Sequence, residues 1–118
     1  MAFDWANYLT LAKELGKRSE EEAQRTAVSR AYYAAFGKAR QLLRREGTTF
    51  PPTGIHEFVW SHFQNDADPV RQQIGLTGDR LKRVRRNADY DSTFNNLAAV
   101  LQSTLLQAEK IIKSLNQL

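Results

Sequence analysis

Alanine recurs every three or four residues through one long segment of the chain, and this pattern constrains the fold more than any other feature. The segment contains no proline and stops at Gly47, a residue typical of helix ends. Residues three and four apart lie on one face of a helix, so the alanines leave a smooth stripe that a neighbouring helix can approach closely. The spacing predicts a long helix whose stripe comprises Ala23, Ala27, Ala31, Ala34, Ala35, Ala39 and Leu42.

Apolar residues also recur at helical spacing in the segment that precedes the alanine-rich helix. There Asp4 is suited to begin a first helix and Gly16 to end it. Ser19 and Glu22 have the spacing of a capping box, in which each side chain satisfies the free backbone N–H of the other residue. The alanine-rich helix is therefore predicted to begin at Ser19.

Three more helices are predicted after a proline-containing loop over residues 48–54. A short helix covers about 55–64, and Asp68-Pro69 has the N-cap and first-position chemistry that opens a fourth helix running to about Asp89. A kink or break is expected near Gly75 and Gly78, because glycine weakens a helix interior. The last helix is predicted to begin near Asp91 or Ser92.

No segment alternates as a strand would, so the sequence predicts an all-α fold. The expected architecture is an antiparallel up-and-down helical bundle of four long helices plus one short helix, forming one domain over residues 1–118. The short helix carries more apolar surface than one face needs, at Phe58, Trp60 and Phe63. Together with the alanine stripe, this surplus predicts a homodimer.

The sequence lacks the residues that several kinds of chemistry require. The chain has no cysteine, so disulfide and thiolate chemistry are excluded. His56 and His62 are its only histidines and stand six residues apart, which does not place them on one helical face, so no metal site is expected. There is no glycine-rich phosphate loop, and no cofactor is expected. The opening residues lack a signal peptide and no run of about 18 apolar residues occurs, so a soluble cytoplasmic protein is expected.

The formal net charge is +4, and its distribution indicates where an anionic partner would bind. Five of the seven residues from 80 to 86 are cationic, and only Asp79 adjoins them. Such a helix face can contact phosphates, although an ordinary solvated basic face is the alternative. The predicted nucleic-acid contacts are Arg80, Lys82, Arg83 and Arg86, with Arg30 as a further candidate on the same cleft.

Two stretches, with a short segment between them, carry a pattern that resembles a known family. They are residues 29–36 (SRAYYAAF) and 85–91 (RRNADYD), with 54–56 (GIH) between them. In this order on an all-helical chain, they are similar to the small bacterial and archaeal members of the HEPN family (higher eukaryote and prokaryote nucleotide-binding domains). The resemblance covers about residues 19–115.

The resemblance implies a dimeric helical bundle that acts on RNA. Many members of the family are ribonucleases of toxin–antitoxin or defence systems, often encoded beside a minimal nucleotidyltransferase. In active members, an Arg and a His four to six residues later lie on one helix near the dimer cleft. The His serves in acid–base catalysis and the Arg holds the phosphate.

This chain departs from that pattern, because Asp89 stands where an active member would carry His. A carboxylate, with a reference pKa near 3.9, is a poorer match for proton transfer at pH 7 than an imidazole near 6.5. Arg85 and Asp89 are spaced for an ion pair along the helix, which would either fix the helix end or hold a phosphate-binding Arg. Tyr90 could stack on a base, could be the tyrosine that is modified in some family members, or could pack at the end of the bundle.

Three functions remain open from the sequence. The first is a HEPN-like protein of a toxin–antitoxin or defence system that binds RNA or nucleotide and lacks the usual catalytic His. The second is a homodimeric interaction module that partners a minimal nucleotidyltransferase. The third is a variant metal-independent endoribonuclease that uses Arg85, Asp89 and Tyr90.

Overall fold

The computed structural model describes residues 2–118, and these form five α-helices and no strand. The helices are α1 (Asn7–Leu15), α2 (Glu21–Arg45), α3 (Ile55–Gln64), α4 (Pro69–Tyr90) and α5 (Leu97–Asn116). The prediction of an all-α fold is confirmed. The prediction of four long helices is not confirmed, because α2, α4 and α5 have 25, 22 and 20 residues whereas α1 and α3 have 9 and 10.

The alanine-rich helix α2 lies at the centre and packs against each of the other four helices. The predicted stripe is buried as expected, since Ala27, Ala31 and Ala35 have no exposed surface. Gly37 continues the close approach toward the N-terminal segment. A β-carbon built on it would lie 2.2 Å from Cδ2 of Trp5, so only glycine fits without movement.

Glycine also sets the contact between α3 and α4. A β-carbon at Gly78 would lie 2.2 Å from Cε3 of Trp60, and one at Gly75 would lie 2.6 Å from the Trp60 carbonyl oxygen. Helix α4 continues through both glycines, so the expected break near them is wrong. These residues allow the two helix backbones to approach closely.

The contact between α3 and α4 also accounts for the apolar surplus of the short helix. Trp60 and Phe63 have no exposed surface, and Phe58 packs partly buried against the same core. These side chains fill the interior of one chain. They therefore supply no free apolar face, so the expectation of surplus apolar surface on α3 is wrong, and the homodimer stays a prediction.

Some of the predicted helix ends agree with the structure and others do not. Asp68 caps α4 as predicted: its side chain accepts the N–H of Val70 at 3.1 Å, and Pro69 follows it. The capping box at Ser19 is wrong, because the residue before α2 is Glu20 and its side chain pairs with Arg18 instead. The start of the last helix near Asp91 is also wrong. Helix α5 begins at Leu97, six residues later, after Asn96 in the left-handed conformation (φ 57°).

No helix in residues 2–118 combines the length and the apolar character needed to cross a membrane.

Candidate nucleic-acid interface

The five cations between residues 80 and 86 occupy different environments on α4. Arg80 and Arg86 are exposed, and within residues 2–118 neither forms an ion pair. The carboxylate of Asp79 pairs with Lys82 at 3.2 Å and with Arg83 at 2.9 Å. Lys82 is largely buried along its stem, with 15% of its side chain exposed, so it is not part of a fully solvated basic face. Arg83 is 68% exposed and faces solvent.

Arg85 differs from its neighbours because it is buried, with 8% of its surface exposed. Its guanidinium carbon lies 5.3 Å from the ring centre of Tyr32 and 5.4 Å from that of Tyr33, within range of cation–π attraction. Its Nη1 lies 3.4 Å from Oδ2 of Asp89, which confirms the predicted pair along the helix. Its Nε is buried and has no acceptor among the described residues. A buried guanidinium with an unpaired donor is a costly arrangement.

The Arg85–Asp89 pair is also tied to α2. The hydroxyl of Ser29 donates to Oδ2 of Asp89 at 3.3 Å, and Nη2 of Arg30 donates to the same hydroxyl oxygen at 3.4 Å. The Arg30 guanidinium carbon lies 4.9 Å from the ring centre of Tyr33, which Arg85 also approaches. Arg30 therefore lies near Arg85, although it is not among the residues that line the two clefts along α4.

His56 contacts α2 through its ring. Its Nδ1 lies 2.7 Å from the hydroxyl of Tyr32, and its ring stacks on Phe36 with 4.0 Å between centres. Burial, reinforced by the positive charges of Arg85, Lys82 and Arg40, lowers the pKa of His56 to about 4. Burial also raises the pKa of Tyr32, so its hydroxyl keeps its proton and shares a hydrogen bond with Nδ1 of the neutral imidazole. His56 is therefore uncharged at neutral pH.

Two neighbouring clefts lie along this part of α4. The His56 cleft encloses about 260 Å³, and its lining is Gly54, Ile55, His56, Glu57, Lys82, Arg85 and Arg86. The Tyr90 cleft encloses about 390 Å³, and its lining is Arg83, Arg86, Asn87, Tyr90 and Asp91. Arg86 lines both clefts, so they form one surface with an excess of positive charge. Tyr90 is 75% exposed and does not pack at the end of the bundle.

The predicted catalytic residues do not share one cleft. Arg85 lines the His56 cleft and Tyr90 lines the other, while Asp89 is held between Arg85 and Ser29. Sequence reasoning missed Glu57 and Asn87 as lining residues. The sequence signals for the His56 cleft are the segment 54–56 and the basic cluster on α4, and neither indicates Glu57.

A third cleft, of about 290 Å³ and mainly apolar, lies between α4 and α5. None of the arginines of α4 discussed above lines it. Its lining is Pro69, Val70, Gln73, Ile74, Thr77, Lys110, Ile111 and Ser114. No group of three or more potential metal ligands occurs in the described part of the chain.

The chain was compared with family models, with curated proteins and with solved structures, and no match was found in any of the three.

Proposed function

We propose that this protein binds single-stranded RNA along the surface formed by the His56 and Tyr90 clefts. The observation that carries the proposal is the position of Tyr90, whose exposed ring borders a cleft that Arg83 and Arg86 also line. An exposed aromatic ring beside cations is the arrangement on which bases stack while phosphates pair with the cations. Stacking of this kind contributes about 1–3 kcal/mol per base.

The basic surface supplies the electrostatic part of the affinity. Arg86 and Arg80 are exposed and have no ion pair in residues 2–118, so a phosphate can pair with them without displacing a carboxylate. Arg83 and Lys82 both pair with Asp79, and Arg83 is mostly exposed. Arg83 can therefore exchange its ion pair with Asp79 for a phosphate at little cost. Each phosphate contact to a single strand adds about 0.7 to the slope of log affinity against log salt.

The family assignment is part of the proposal and is supported by how its two motifs meet. Ser29 contacts Asp89, and Tyr32 and Tyr33 both lie against Arg85, although these residues are more than fifty positions apart. The two stretches thus form one unit, as expected if the HEPN resemblance reflects a shared site. The toxin–antitoxin or defence system and the nucleotidyltransferase partner rest on the resemblance. The up-and-down bundle, the homodimer and the cytoplasmic location are predictions from the sequence that belong to the same proposal.

Binding without efficient cleavage is the form of this function that the site favours. His56, with a pKa of about 4, is almost wholly neutral at pH 7 and too weak a base to take up a proton readily. Asp89 is engaged by Ser29 and Arg85, and Tyr90 lies in the other cleft. Cleavage by Arg85, Asp89 and Tyr90 together would require these groups to converge on one phosphate.

A second candidate function, a module that binds another protein, is favoured by the apolar cleft between α4 and α5. Val70 lines that cleft with 49% of its surface exposed, beside the apolar side chains of Ile74 and Ile111. Exposed apolar surface of this kind marks contact sites when it is contiguous. A protein partner there would leave the arginines free.

The test is binding of a fluorescent single-stranded RNA of about 12 nucleotides, at about 50 and 200 mM salt. The wild-type protein should bind with salt-sensitive affinity, and Arg83→Ala/Arg86→Ala should reduce the salt slope by about 1.4, the value for two phosphate contacts. Arg44→Ala/Arg45→Ala is the matched control, because it removes two exposed charges from the far end of α2. If both variants lose the same RNA affinity, the loss reflects net charge and not a specific surface. No binding by the wild-type protein at low salt would overturn the proposal.

The contribution of Tyr90 is separable from charge. Tyr90→Phe should keep RNA affinity and Tyr90→Ala should lose about 1–3 kcal/mol, because stacking needs the ring and not the hydroxyl. If Tyr90→Ala binds RNA as tightly as the wild type, the stacking role is wrong.

A further inference from the structure

The first turn of α3 presents free backbone donors to the His56 cleft. Its N-cap is Gly54, in the left-handed conformation (φ 69°), and no side chain caps the helix. The amides of Ile55, His56 and Glu57 have no acceptor within residues 2–118. The unpaired N–H groups at the start of a helix, together with its dipole, attract anions.

A second observation points to a ligand at the same place. Arg85, which is 8% exposed, lines this cleft and carries a buried Nε with no acceptor in the described chain. Its guanidinium cannot be moved easily, because it lies between the rings of Tyr32 and Tyr33 and the carboxylate of Asp89. A buried charge held in place by its surroundings is a preorganised binding group.

The remaining groups at the cleft decide the sign and number of charges that fit. Lys82 and Arg86 add two cations to Arg85, and the neutral His56 adds none. Against these stand Glu57, which lines the cleft, Asp79, which pairs with Lys82, and Asp89, which pairs with Arg85. The side-chain charges therefore balance, and the uncapped start of α3 together with Arg86, which has no ion pair in residues 2–118, supplies the attraction for an anion.

We propose that the His56 cleft binds a terminal phosphate, a monoester, through the amides of Ile55–Glu57 and the cations of Arg85 and Arg86. A monoester offers three free oxygens and up to two negative charges, whereas the phosphodiester inside a strand offers two oxygens and one charge. Donors face the cleft from two helices, and a monoester has one more free oxygen to accept them. The inference rests on the proposed function in taking the rest of the ligand to be a nucleotide or an RNA strand.

The position of Arg86 supports this choice of ligand. Arg86 lines both clefts, and Tyr90 follows it by four residues, or about 6 Å along the helix. A phosphate in the His56 cleft therefore has Tyr90 within about one helical turn. A base attached to that phosphate can stack on the Tyr90 ring. The free mononucleotide and the phosphorylated end of a strand share this chemistry.

The first test uses inorganic phosphate as the probe and backbone amide NMR of the intact protein as the readout. Titration should shift the amides of Ile55, His56 and Glu57 in a saturable way, beyond the shifts that chloride produces at equal ionic strength. Arg86→Ala should weaken phosphate binding about tenfold, the change expected for loss of one charge-assisted hydrogen bond. Shifts no larger than those with chloride would overturn the site.

Glu57→Gln tests the site by a gain in affinity, which a damaged fold would not produce. It removes the carboxylate that lines the cleft, so phosphate should bind several-fold more tightly. Glu22→Gln is the matched control, because Glu22 is an exposed carboxylate in the first turn of α2. Equal affinity changes in the two variants would overturn the site.

The second test compares RNA strands that carry a 5′-phosphate, a 3′-phosphate or only hydroxyl ends, and AMP with adenosine. We expect the phosphorylated strands to bind about tenfold more tightly, and Glu57→Gln to widen that ratio. Preference for AMP alone would identify a free nucleotide as the ligand. Equal affinity for all strands would overturn the monoester site and leave RNA binding intact. Phosphate shifts and AMP binding without RNA binding would support the site and overturn the proposed function.

Discussion

The hydroxyl of Tyr32 lies 2.7 Å from Nδ1 of His56 and so joins the centre of α2 to the first turn of α3. The same oxygen accepts the indole N–H of Trp60 at 3.0 Å. One buried oxygen therefore bonds the ring of His56 and also satisfies the indole N–H, the only polar group of the Trp60 side chain.

Loss of this hydroxyl should destabilise the fold. Tyr32→Phe leaves the Trp60 N–H and the His56 Nδ1 without partners, and a buried unsatisfied group costs about 1–3 kcal/mol. We expect a fall in unfolding free energy of that size in urea titrations. Tyr33→Phe is the control, since its hydroxyl bonds no other group in the described chain, and it should change stability by less than about 0.5 kcal/mol. Equal losses in both variants would contradict the role assigned to Tyr32.

The lowered pKa of His56 predicts a dependence of stability on pH. The unfolded chain takes up this proton near pH 6.5, whereas the folded chain resists it until about pH 4. The unfolded state therefore binds more protons in that window, and the free energy of unfolding falls as pH falls from about 6.5 to 4. The contribution is fully present above about pH 6.5.

Urea titrations across this window measure the slope. His56→Gln should flatten it, while His62→Gln, at an exposed position of the same helix, should leave it unchanged. A slope that persists in His56→Gln would assign it to other groups. One such group is Glu46, whose pKa is lowered by Arg71 and which loses stabilisation at more acidic pH.

Arg85 contributes to the lowered pKa of His56 after burial, so its removal should raise that pKa. In Arg85→Met the imidazole should titrate above pH 4 and still below about 6.5, because burial remains. Arg80→Met, which removes an exposed charge from the same helix, should leave the titration in place. NMR of the His56 ring measures both. A pKa that stays near 4 in Arg85→Met would mean that Arg85 does not act on His56.

Arg25 holds the connection between α4 and α5. Its Nη1 donates to the carbonyl of Asp91 at 2.6 Å and to that of Ala88 at 3.1 Å, and Nη2 donates to that of Ser92 at 3.3 Å. Arg25→Ala should lower the unfolding free energy by about 1–3 kcal/mol, because hydrogen bonds to a charged group are the strong ones.

The same variant should speed hydrogen exchange at residues 91–96, beside Tyr90. Arg45→Ala, an exposed residue at the other end of α2, should do neither. Unchanged exchange in Arg25→Ala would mean that other contacts hold the connection.

The close approach at Gly78 predicts a large effect from a single methyl group. In Gly78→Ala the new β-carbon would meet the rigid ring of Trp60 at 2.2 Å, so either α3 or α4 must shift. Overpacking of this kind costs about 1–3 kcal/mol, more than the gain in helix propensity of about 1 kcal/mol. Leu76→Ala, at an exposed position two residues away, should change stability by less than about 0.5 kcal/mol in the same urea titrations. A stabilised Gly78→Ala would contradict this packing.

Local chemistry made part of the fold predictable. The pair Asp68-Pro69 opens α4 and the pattern over 55–64 is α3, because capping and periodicity act within a few residues. The start of α5 was missed because Asn96 adopts a left-handed conformation that the sequence before it does not require. The bounds of α3 match the prediction, whereas α1 begins at Asn7 and is shorter than the helix predicted to start at Asp4.

The contacts of the candidate site were also predictable only where they lie within one helix. The Arg85–Asp89 pair follows from spacing along one helix. The contact of Ser29 with Asp89, sixty residues apart, and that of Tyr32 with His56 depend on how three helices pack. That packing depends on the close approach at Gly75 and Gly78, but in the sequence these glycines indicate only a low helix propensity. Burial of Arg85 could not be predicted without knowledge of that packing.

The two glycines of α4 have a consequence for the order in which the molecule assembles. Each lowers helix propensity by about 1 kcal/mol relative to alanine, so the segment over 69–90 is a weak helix in isolation. Its helicity depends on docking against Trp60, which requires α3 to be in place. The regular spacing of the arginines then exists only in the native chain. An unfolded or nascent chain carries the same charges without that spacing.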